Sequence, residues 1–276
     1  MSTKVTEITV LFESMRNEKQ AKELQRFFKT REGEYGCGDK FLGIRVPQTR
    51  EVVKELSDTS LTECEGLLDS TWHEVRLCAL LILVDKFQKT LKKRIADQHS
   101  TIRQRDQIVE IYLKHATRSN NWDLVDLSAP KILGHWLLLP TFIGTEDRKP
   151  SINEPYKRAL LDKLSDSNNL WEQRISIVST WKTTQQGYPS WALRYSERLL
   201  FHRHDLINKA VGWMLREVGK HNGTNLLVSF LDKYADTMPR ITLRYAIEKL
   251  DDKERKYWLS RGRHKDIGKE NNVKKT

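Results

Sequence analysis

The stretch Trp72–Lys86, WHEVRLCALLILVDK, decides the fold class of this 276-residue chain. Val75, Ala79 and Ile82 recur at the spacing of one face of an α helix, and every residue from Leu77 to Val84 is apolar. A helix that is apolar on most of its faces lies inside a protein core. The apolar run is too short to cross a membrane, which takes about 20 residues. The stretch therefore predicts a buried helix, and we expect no membrane partner.

The same helical spacing returns along nearly the whole chain, for example over residues 108–115 and 206–218. Strict alternation of apolar and polar residues, which would indicate strands, is not sustained over any useful length. Ser60 and Glu63 form a capping-box pair, and Pro239 stands where a first helical residue would be. The sequence therefore predicts an all-α protein.

Similar helix starts recur in the second half of the chain. The interval from Arg174 to Lys209 is 35 residues, and the interval from Lys209 to Arg240 is 31. Helix pairs repeating at roughly 30 to 45 residues are typical of an α-solenoid of HEAT-like or armadillo-like helical repeats, which would form a concave basic surface. An irregular helical bundle is the alternative. We expect one solenoid domain over residues 1–260 and a basic, flexible tail over residues 261–276.

The composition favours a polyanionic partner. The chain carries a net charge of +11, with a pI near 9.5. Lysine and arginine residues that neutralise phosphates release counterions, which supplies most non-specific affinity for nucleic acids. A basic protein without such a partner would have the same composition. We read no signal peptide, and three cysteines without a C-x-x-C pair fit a reducing, cytoplasmic compartment.

Several common catalytic motifs are missing from the sequence. It has no G-x-S-x-G and no phosphate-binding loop of the Walker type. Gly36 and Gly38 follow no predicted strand, so they indicate a tight loop and not a dinucleotide site. His202 and His204 form an H-x-H without further metal-ligand spacing, so we expect no metal.

Trp122 and Asp126 are the first candidate site residues. They stand four residues apart at a predicted helix start, so they share one helix face, and Asn120 or Asn121 is the expected N-cap. In the simpler interpretation Trp122 belongs to the core and Asp126 to the surface. In the functional interpretation an aromatic wall stands beside a carboxylate, an arrangement that stabilises a cation.

Two further predicted helices carry several cations on one face. In the simpler interpretation each is an ordinary solvent-exposed face, and in the functional one it binds a polyanion. One stripe includes Trp213 and lies beside Gly212, where the backbone could come close to another chain. Arginine and aromatic side chains together are suited to DNA phosphates and sugars. The two sets are Lys209, Trp213, Arg216 and Lys220 on one helix, and Arg174 and Lys182 on another.

These segments together resemble the DNA alkylation repair proteins, the HEAT-like-repeat alkylpurine DNA glycosylases (AlkD-like). Five ordered blocks carry the resemblance, and they extend over about residues 25 to 250. The blocks are Tyr35–Pro47, His73–Arg76, Asn121–Asp126, Trp171–Arg174 and Gly212–Glu217.

The resemblance implies a curved solenoid that removes N3- and N7-alkylated purines from duplex DNA as a step of base excision repair. It implies that Asp126 is the catalytic carboxylate and that Trp122 and Trp213 contact the sugar of the lesion. It implies DNA contacts for Arg174, Arg216, Lys182 and, more weakly, Tyr35. We also expect a DNA contact for Lys209, because it shares one helix face with Trp213 and Arg216. It also implies recognition through the sugar-phosphate backbone, so we expect no deep nucleobase pocket.

The expected enzyme needs no cofactor, and no lyase step is expected because no nucleophilic lysine is evident. We expect a monomer, since a DNA cradle needs no partner subunit. Two other interpretations compete with the enzyme. One is a non-catalytic, structure-specific DNA-binding protein of the same fold. The other is a helical scaffold for acidic peptides, which would not explain why Trp122 and Asp126 are paired.

Overall fold

A computed structural model describes residues 3–92, 94–145 and 149–261 of the chain. It divides them between two compact units, unit 1 up to Leu160 and unit 2 from Leu161. The division falls inside one helix, a few residues beyond the proline-containing loop of residues 139–155. The single domain over residues 1–260 stays a prediction, and the predicted tail lies outside the described residues except for Arg261.

Unit 1 is built from helices alone in its described residues. The helices are α1 (Thr3–Ser14), α2 (Glu18–Phe27), α3 (Val46–Glu55), α4 (Leu61–Leu68), α5 (His73–Lys89), α6 (His99–Lys114), the short 3-10 helix Ala116–Arg118, α7 (Trp122–Ser128) and α8 (Leu133–Trp136). Helix α9 (Glu154–Ser165) begins in unit 1 and ends in unit 2.

Unit 2 continues the helical pattern. Its helices are α10 (Leu170–Gln185), α11 (Ser190–Arg198), α12 (Asp205–Asn222), α13 (Thr224–Tyr234), α14 (Arg240–Ala246) and α15 (Asp252–Ser260).

The packing of these helices confirms the all-α prediction and the helical-repeat prediction. In unit 1, α5 packs against α3 and α7, which lie two helices before and after it, as well as against its neighbour α4. In unit 2, α12 packs in the same way against α10, α14, α11 and α13. An inner row of alternate helices backed by an outer row is the arrangement that stacked helix pairs produce. Two isolated bridges are the only β pairing within the described ranges.

Helix α5 is the centre of unit 1, as the sequence predicts. Every residue from His73 to Val84 is buried, including the polar His73, Glu74 and Arg76. The capping box of Ser60 and Glu63 starts α4, as predicted. The prediction for Pro239 was wrong by one position: Pro239 is the N-cap of α14, and Arg240 is its first residue. Helix ends shift by a residue easily because their first turn lacks internal hydrogen bonds.

Candidate functional site

Asn121 fixes the start of α7, the helix that carries Trp122 and Asp126. Its side chain accepts a hydrogen bond from the backbone N–H of Trp122 at 3.0 Å, which makes Asn121 the N-cap. Its amide nitrogen also donates to the carbonyl of Phe28 at 3.4 Å. Gly36 packs against the same carbonyl group, since an added Cβ would lie 2.5 Å from the Phe28 oxygen. The glycine therefore serves close packing in a loop, as predicted.

A buried polar network ties α7 to α5. His73 donates from Nδ1 to Asp39 at 2.7 Å and from Nε2 to Asp123 at 3.0 Å. Arg76 donates to the other oxygen of Asp39 and to the side chain of Asn120. Asp123 stands next to Trp122 in the first turn of α7, so the network fixes the helix that carries the candidate residues.

The charges of this network stabilise one another. Burial by itself disfavours the imidazolium, but the carboxylates of Asp123 and Asp39 outweigh it and raise the pKa of His73 to about 10. Burial likewise opposes ionisation of Asp39, but His73 and Arg76 hold the pKa of that carboxyl below its usual range. At neutral pH the network therefore holds the Asp39 carboxylate and the His73 imidazolium as opposite charges.

Glu74 anchors the loop in front of α3. Its buried carboxylate accepts hydrogen bonds from the backbone N–H groups of Leu42, Gly43 and Ile44, at 2.8–3.1 Å. Gly43 has a φ of 89°, and an added Cβ would lie 2.1 Å from the carbonyl oxygen of Asn17. Only glycine fits there, and the loop that it allows buries Phe41.

Four aromatic rings from three segments meet beside α7. Phe28 stacks on Phe41 with ring centroids 5.1 Å apart, and Trp122 lies 5.3 Å from Phe28 on the side of α7. Phe27 packs edge-on against Phe28 and Trp122 and keeps 61% of its surface exposed. Lys29 ends α2 in the left-handed region, at a φ of 57°, which turns the chain sharply after Phe28.

These rings form one wall of a cleft of about 500 Å³ in unit 1. Trp122 and Asp126 both line it, so the structure brings together the two residues that the sequence pairs. Leu24, Leu127 and the start of α3 also line the cleft, together with the polar side chains of Gln20, Arg45, His73, Glu74 and Asp123. Phe27 and Phe28 pack against Trp122 in this open cleft, and the expectation of a surface without a deep nucleobase pocket stays a prediction.

A second, basic groove of about 440 Å³ lies between α3 and α5 in unit 1. Arg50 and Lys131 both line it. Burial and the charge of Arg50 lower the pKa of Lys131. Neither cation forms an ion pair with a described residue. The groove is also lined by Asp85, which pairs with Lys89, so Arg50 and Lys131 are its two candidate contacts for an anion.

In unit 2, carboxylates hold the candidate residues of α12. Trp213 is half-buried, and its Nε1 donates to Glu217 at 3.3 Å. Arg216 forms ion pairs with Glu217 and with Glu248. Trp213 and Arg216 therefore share one carboxylate, which fixes both side chains on the same side of α12.

The other cations of unit 2 differ in exposure. Arg174 is only 5% exposed, and its Nη1 donates to the carbonyl of Leu206 in the first turn of α12. Lys182 and Lys209 are half-buried, and Lys182 donates to Gln185 at 3.5 Å. The Arg174 side of α10 therefore points largely into the core, so the cationic stripe on α10 is not an open surface.

Gly212 does not leave room for another chain, contrary to the prediction. An added Cβ would lie 2.5 Å from both the carbonyl oxygen of Thr242 and the Cβ of Tyr245. The glycine instead lets α14 come close to α12.

Tyr35 is half-buried in the loop before Gly36 and does not line the cleft beside Trp122. His202 and His204 accept hydrogen bonds from the backbone N–H groups of His204 and Leu206, so these histidines cap the start of α12. No cluster of potential metal ligands is found among the described residues. In the same part of the chain, no helix is long and apolar enough to span a membrane.

Some residues of the site were missed by the sequence analysis. Phe27, Phe28 and Phe41 lie within or near the block that carries the resemblance, but each reads as an ordinary core residue. The dipeptide Phe27-Phe28 at a predicted helix end was the available signal, since two adjacent rings cannot both point into one core. Arg50 and Lys131 are too far apart in the sequence for spacing to connect them.

Comparison with known proteins agrees with this structure. The family model described as "DNA alkylation repair enzyme" matches residues 8–250. A solved structure titled "Predicted DNA alkylation repair enzyme from Enterococcus faecalis" has the same fold, with a TM-score of 0.57 and 16% identity. The match covers 86% of this chain and 97% of that one. A search of curated proteins finds no match. The chain belongs to the DNA alkylation repair enzyme family.

Proposed function

We propose that this protein is a monofunctional DNA glycosylase of base excision repair. It hydrolyses the N-glycosidic bond of N3- and N7-alkylated purines in duplex DNA, as a cytoplasmic monomer and without a cofactor. The family supplies the role in the repair of alkylated DNA. The observation that carries the finer assignment is that Asp126 and Trp122 line the same cleft.

Hydrolysis of this glycosidic bond is assisted by a carboxylate beside the sugar, which is what Asp126 offers in the cleft. Alkylation at N3 or N7 makes the purine a cation, which weakens its bond to the sugar. As the base leaves, the deoxyribose develops oxocarbenium character. The carboxylate of Asp126 stabilises that positive charge and orients the water that attacks C1′. The departing cationic base takes the electron pair of the broken bond and leaves neutral. Water supplies the hydroxyl group, and its second proton passes to solvent.

Trp122 adds an aromatic face beside the same sugar. A cation over an indole face gains about 0.5–2 kcal/mol, more where water is excluded. Its position is set before DNA arrives, because the Asn121 cap and the Asp123–His73 hydrogen bond both hold α7. A group that is already in place costs little reorganisation when the charge develops.

The remaining candidates bind the DNA backbone in this proposal. Arg50 and Lys131 in unit 1 contact phosphates, since they line one groove and neither forms an ion pair with a described residue. In unit 2 Trp213 contacts sugar, and its neighbouring cations contact phosphates. Those cations are Lys182, Lys209 and Arg216, whereas the buried Arg174 holds the first turn of α12 through the carbonyl of Leu206. Tyr35 is assigned a backbone contact in unit 1.

The experiment is single-turnover release of 7-methylguanine and 3-methyladenine from methylated duplex DNA. We expect Asp126→Asn to slow release by about 100-fold or more while duplex affinity stays within about twofold. The control is Asp58→Asn, which removes a surface carboxylate from the same unit and should leave release unchanged. Release by Asp126→Asn at the wild-type rate removes this residue from the mechanism. Salt-sensitive duplex binding without any release identifies the non-catalytic DNA-binding protein instead.

A further inference from the structure

We propose that Glu217 is the residue that positions Trp213 for its contact with the DNA sugar. This rests on the proposed function and adds a positioning residue to it. Glu217 is only 6% exposed, so it acts through its neighbours on α12 and not on the DNA itself.

The first observation is a difference between the two tryptophans assigned to the sugar. Trp122 packs against the rings of Phe27 and Phe28, with centroids 5.9 and 5.3 Å apart. Trp213 is half-buried and has no such ring contact within the described residues. Its directional contact is the hydrogen bond that Nε1 donates to Oε1 of Glu217 at 3.3 Å. A half-exposed side chain without that contact exchanges between rotamers.

The second observation is that the carboxylate of Glu217 is held at both oxygens. Oε1 accepts from Trp213 and, at 3.4 Å, from Nη2 of Arg216. Oε2 lies 3.2 Å from Nε2 of His221, one helical turn further along α12. A carboxylate held in this way cannot turn freely, so Oε1 stays directed at the indole. These three groups also satisfy the buried oxygens, which would otherwise be costly to remove from water.

The third observation is what each neighbour loses if Glu217 is removed. Arg216 keeps an ion pair with Glu248 on α14. Trp213 keeps no hydrogen-bond acceptor for its indole N–H among the described residues. The indole is therefore the group whose orientation depends on Glu217. A reacting site tolerates only small displacements of the groups around it, so a ring that turns away no longer stabilises a charged sugar.

The test is a double-substitution cycle between Glu217 and Trp213. Glu217→Leu removes the acceptor at similar volume, whereas Glu217→Gln keeps a carbonyl oxygen for the indole. Trp213→Phe removes the N–H and keeps an aromatic ring. Single-turnover release of 7-methylguanine from methylated duplex DNA and affinity for the duplex are measured for each variant, and for Glu217→Leu combined with Trp213→Phe.

We expect Glu217→Leu to slow release about tenfold or more, but by less than about twofold in a protein that already carries Trp213→Phe. Glu217→Gln should stay within about threefold of wild type, because the acceptor is retained. The matched control is Glu248→Gln, which takes a carboxylate from Arg216 without touching the indole, so its effect should be equal with and without Trp213→Phe. Equal effects of Glu217→Leu with and without Trp213→Phe overturn the proposal.

A second measurement follows Trp213 without DNA. Its emission is the difference between each protein and the same protein with Trp213→Phe, and quenching by acrylamide reports how mobile and exposed the indole is. We expect the quenching constant to rise about twofold in Glu217→Leu and to stay near the wild-type value in Glu217→Gln. Circular dichroism checks the fold, and Glu217→Ala replaces Glu217→Leu if the leucine variant does not fold.

The two measurements separate this proposal from the glycosylase assignment. If wild type releases no base, the glycosylase assignment fails, and the role of Glu217 is decided by the quenching of Trp213 and by the same cycle in duplex affinity. If wild type releases bases but quenching of Trp213 is unchanged in Glu217→Leu, the glycosylase stands and Glu217 does not position Trp213.

Discussion

Replacing His73 with glutamine should destabilise the protein by an amount that depends on pH. His73 is a fully buried cation, and it donates to Asp39 at 2.7 Å and to Asp123 at 3.0 Å. The amide of the His73→Gln variant is neutral at every pH. It can donate to only one of these carboxylates with good geometry. Asp39 keeps Arg76 as a partner, whereas Asp123 loses its cationic partner whichever carboxylate the amide reaches.

The magnitude follows from the raised pKa. Two carboxylates raise the pKa of His73 from 6.5 to about 10, so folded protein holds a proton that unfolded protein releases between these values. The stabilisation by the imidazolium is therefore complete below pH 6.5 and is lost as pH rises towards 10, by up to about 1.4 kcal/mol per pH unit. On the acid side, the pKa of Asp39 lies below its ordinary 3.8. The stabilisation by the ionised Asp39 carboxylate is therefore lost only as the pH falls through that lowered pKa.

The assay is urea unfolding of wild type and His73→Gln at steps between pH 6.5 and 10. Titration of distant groups cancels in the difference between the two proteins. We expect the difference in unfolding free energy to shrink steadily as pH rises. The control is His221→Gln, because His221 is partly exposed and pairs only with Glu217 at 3.2 Å; its cost should stay below about 1 kcal/mol. A His73→Gln cost that is constant over this range would show that the folded imidazole is neutral.

Three further outcomes are expected. The double substitution of Arg50 and Lys131 to alanine should weaken duplex binding and reduce the slope of log affinity against log salt by about 0.9 per lost phosphate contact, as measured by fluorescence anisotropy. Glu248→Gln should tighten duplex binding about two- to fivefold in the same assay, because it releases Arg216 from an ion pair. Gly212→Ala should lower the free energy of unfolding by about 1–3 kcal/mol in urea, because its Cβ meets α14 at 2.5 Å.

Each of these has a matched control. Lys233→Ala removes an exposed lysine paired with Glu197 and should leave the salt slope unchanged. Glu154→Gln makes the same change in net charge as Glu248→Gln at a pair with Arg158, away from the proposed DNA contacts, and a comparable gain in affinity there would trace the effect to overall charge. Gly66→Ala adds a methyl group that meets only a Val5 side chain at 3.2 Å, so equal losses at both glycines would contradict the packing argument.

The features that could be predicted from the sequence are local ones. The helix of residues 73–89, the capping box of Ser60 and the pairing of Trp122 with Asp126 all depend on residues a few positions apart. Helical spacing links such residues whatever the tertiary structure.

The features that could not be predicted join distant residues. Phe28 and Trp122 are far apart in the sequence, and Arg216 reaches Glu248 across 32 positions. Glu74 reads as a surface residue of a helix start, yet it is buried because it accepts three backbone hydrogen bonds from residues 42–44. Whether a polar side chain is buried depends on the partner that folding brings to it, and spacing carries no information about that partner.

The buried network around His73 also bears on the order in which unit 1 assembles. Its hydrogen bonds connect residues 34, 50 and 44 positions apart, and they join the loop at Asp39, the start of α5 and the start of α7. Closing such contacts early costs chain entropy, and forming only part of the network leaves an uncompensated charge out of water. Helix α7 and the loop at Asp39 should therefore dock against α5 in one step, so that the cleft and the buried network form together.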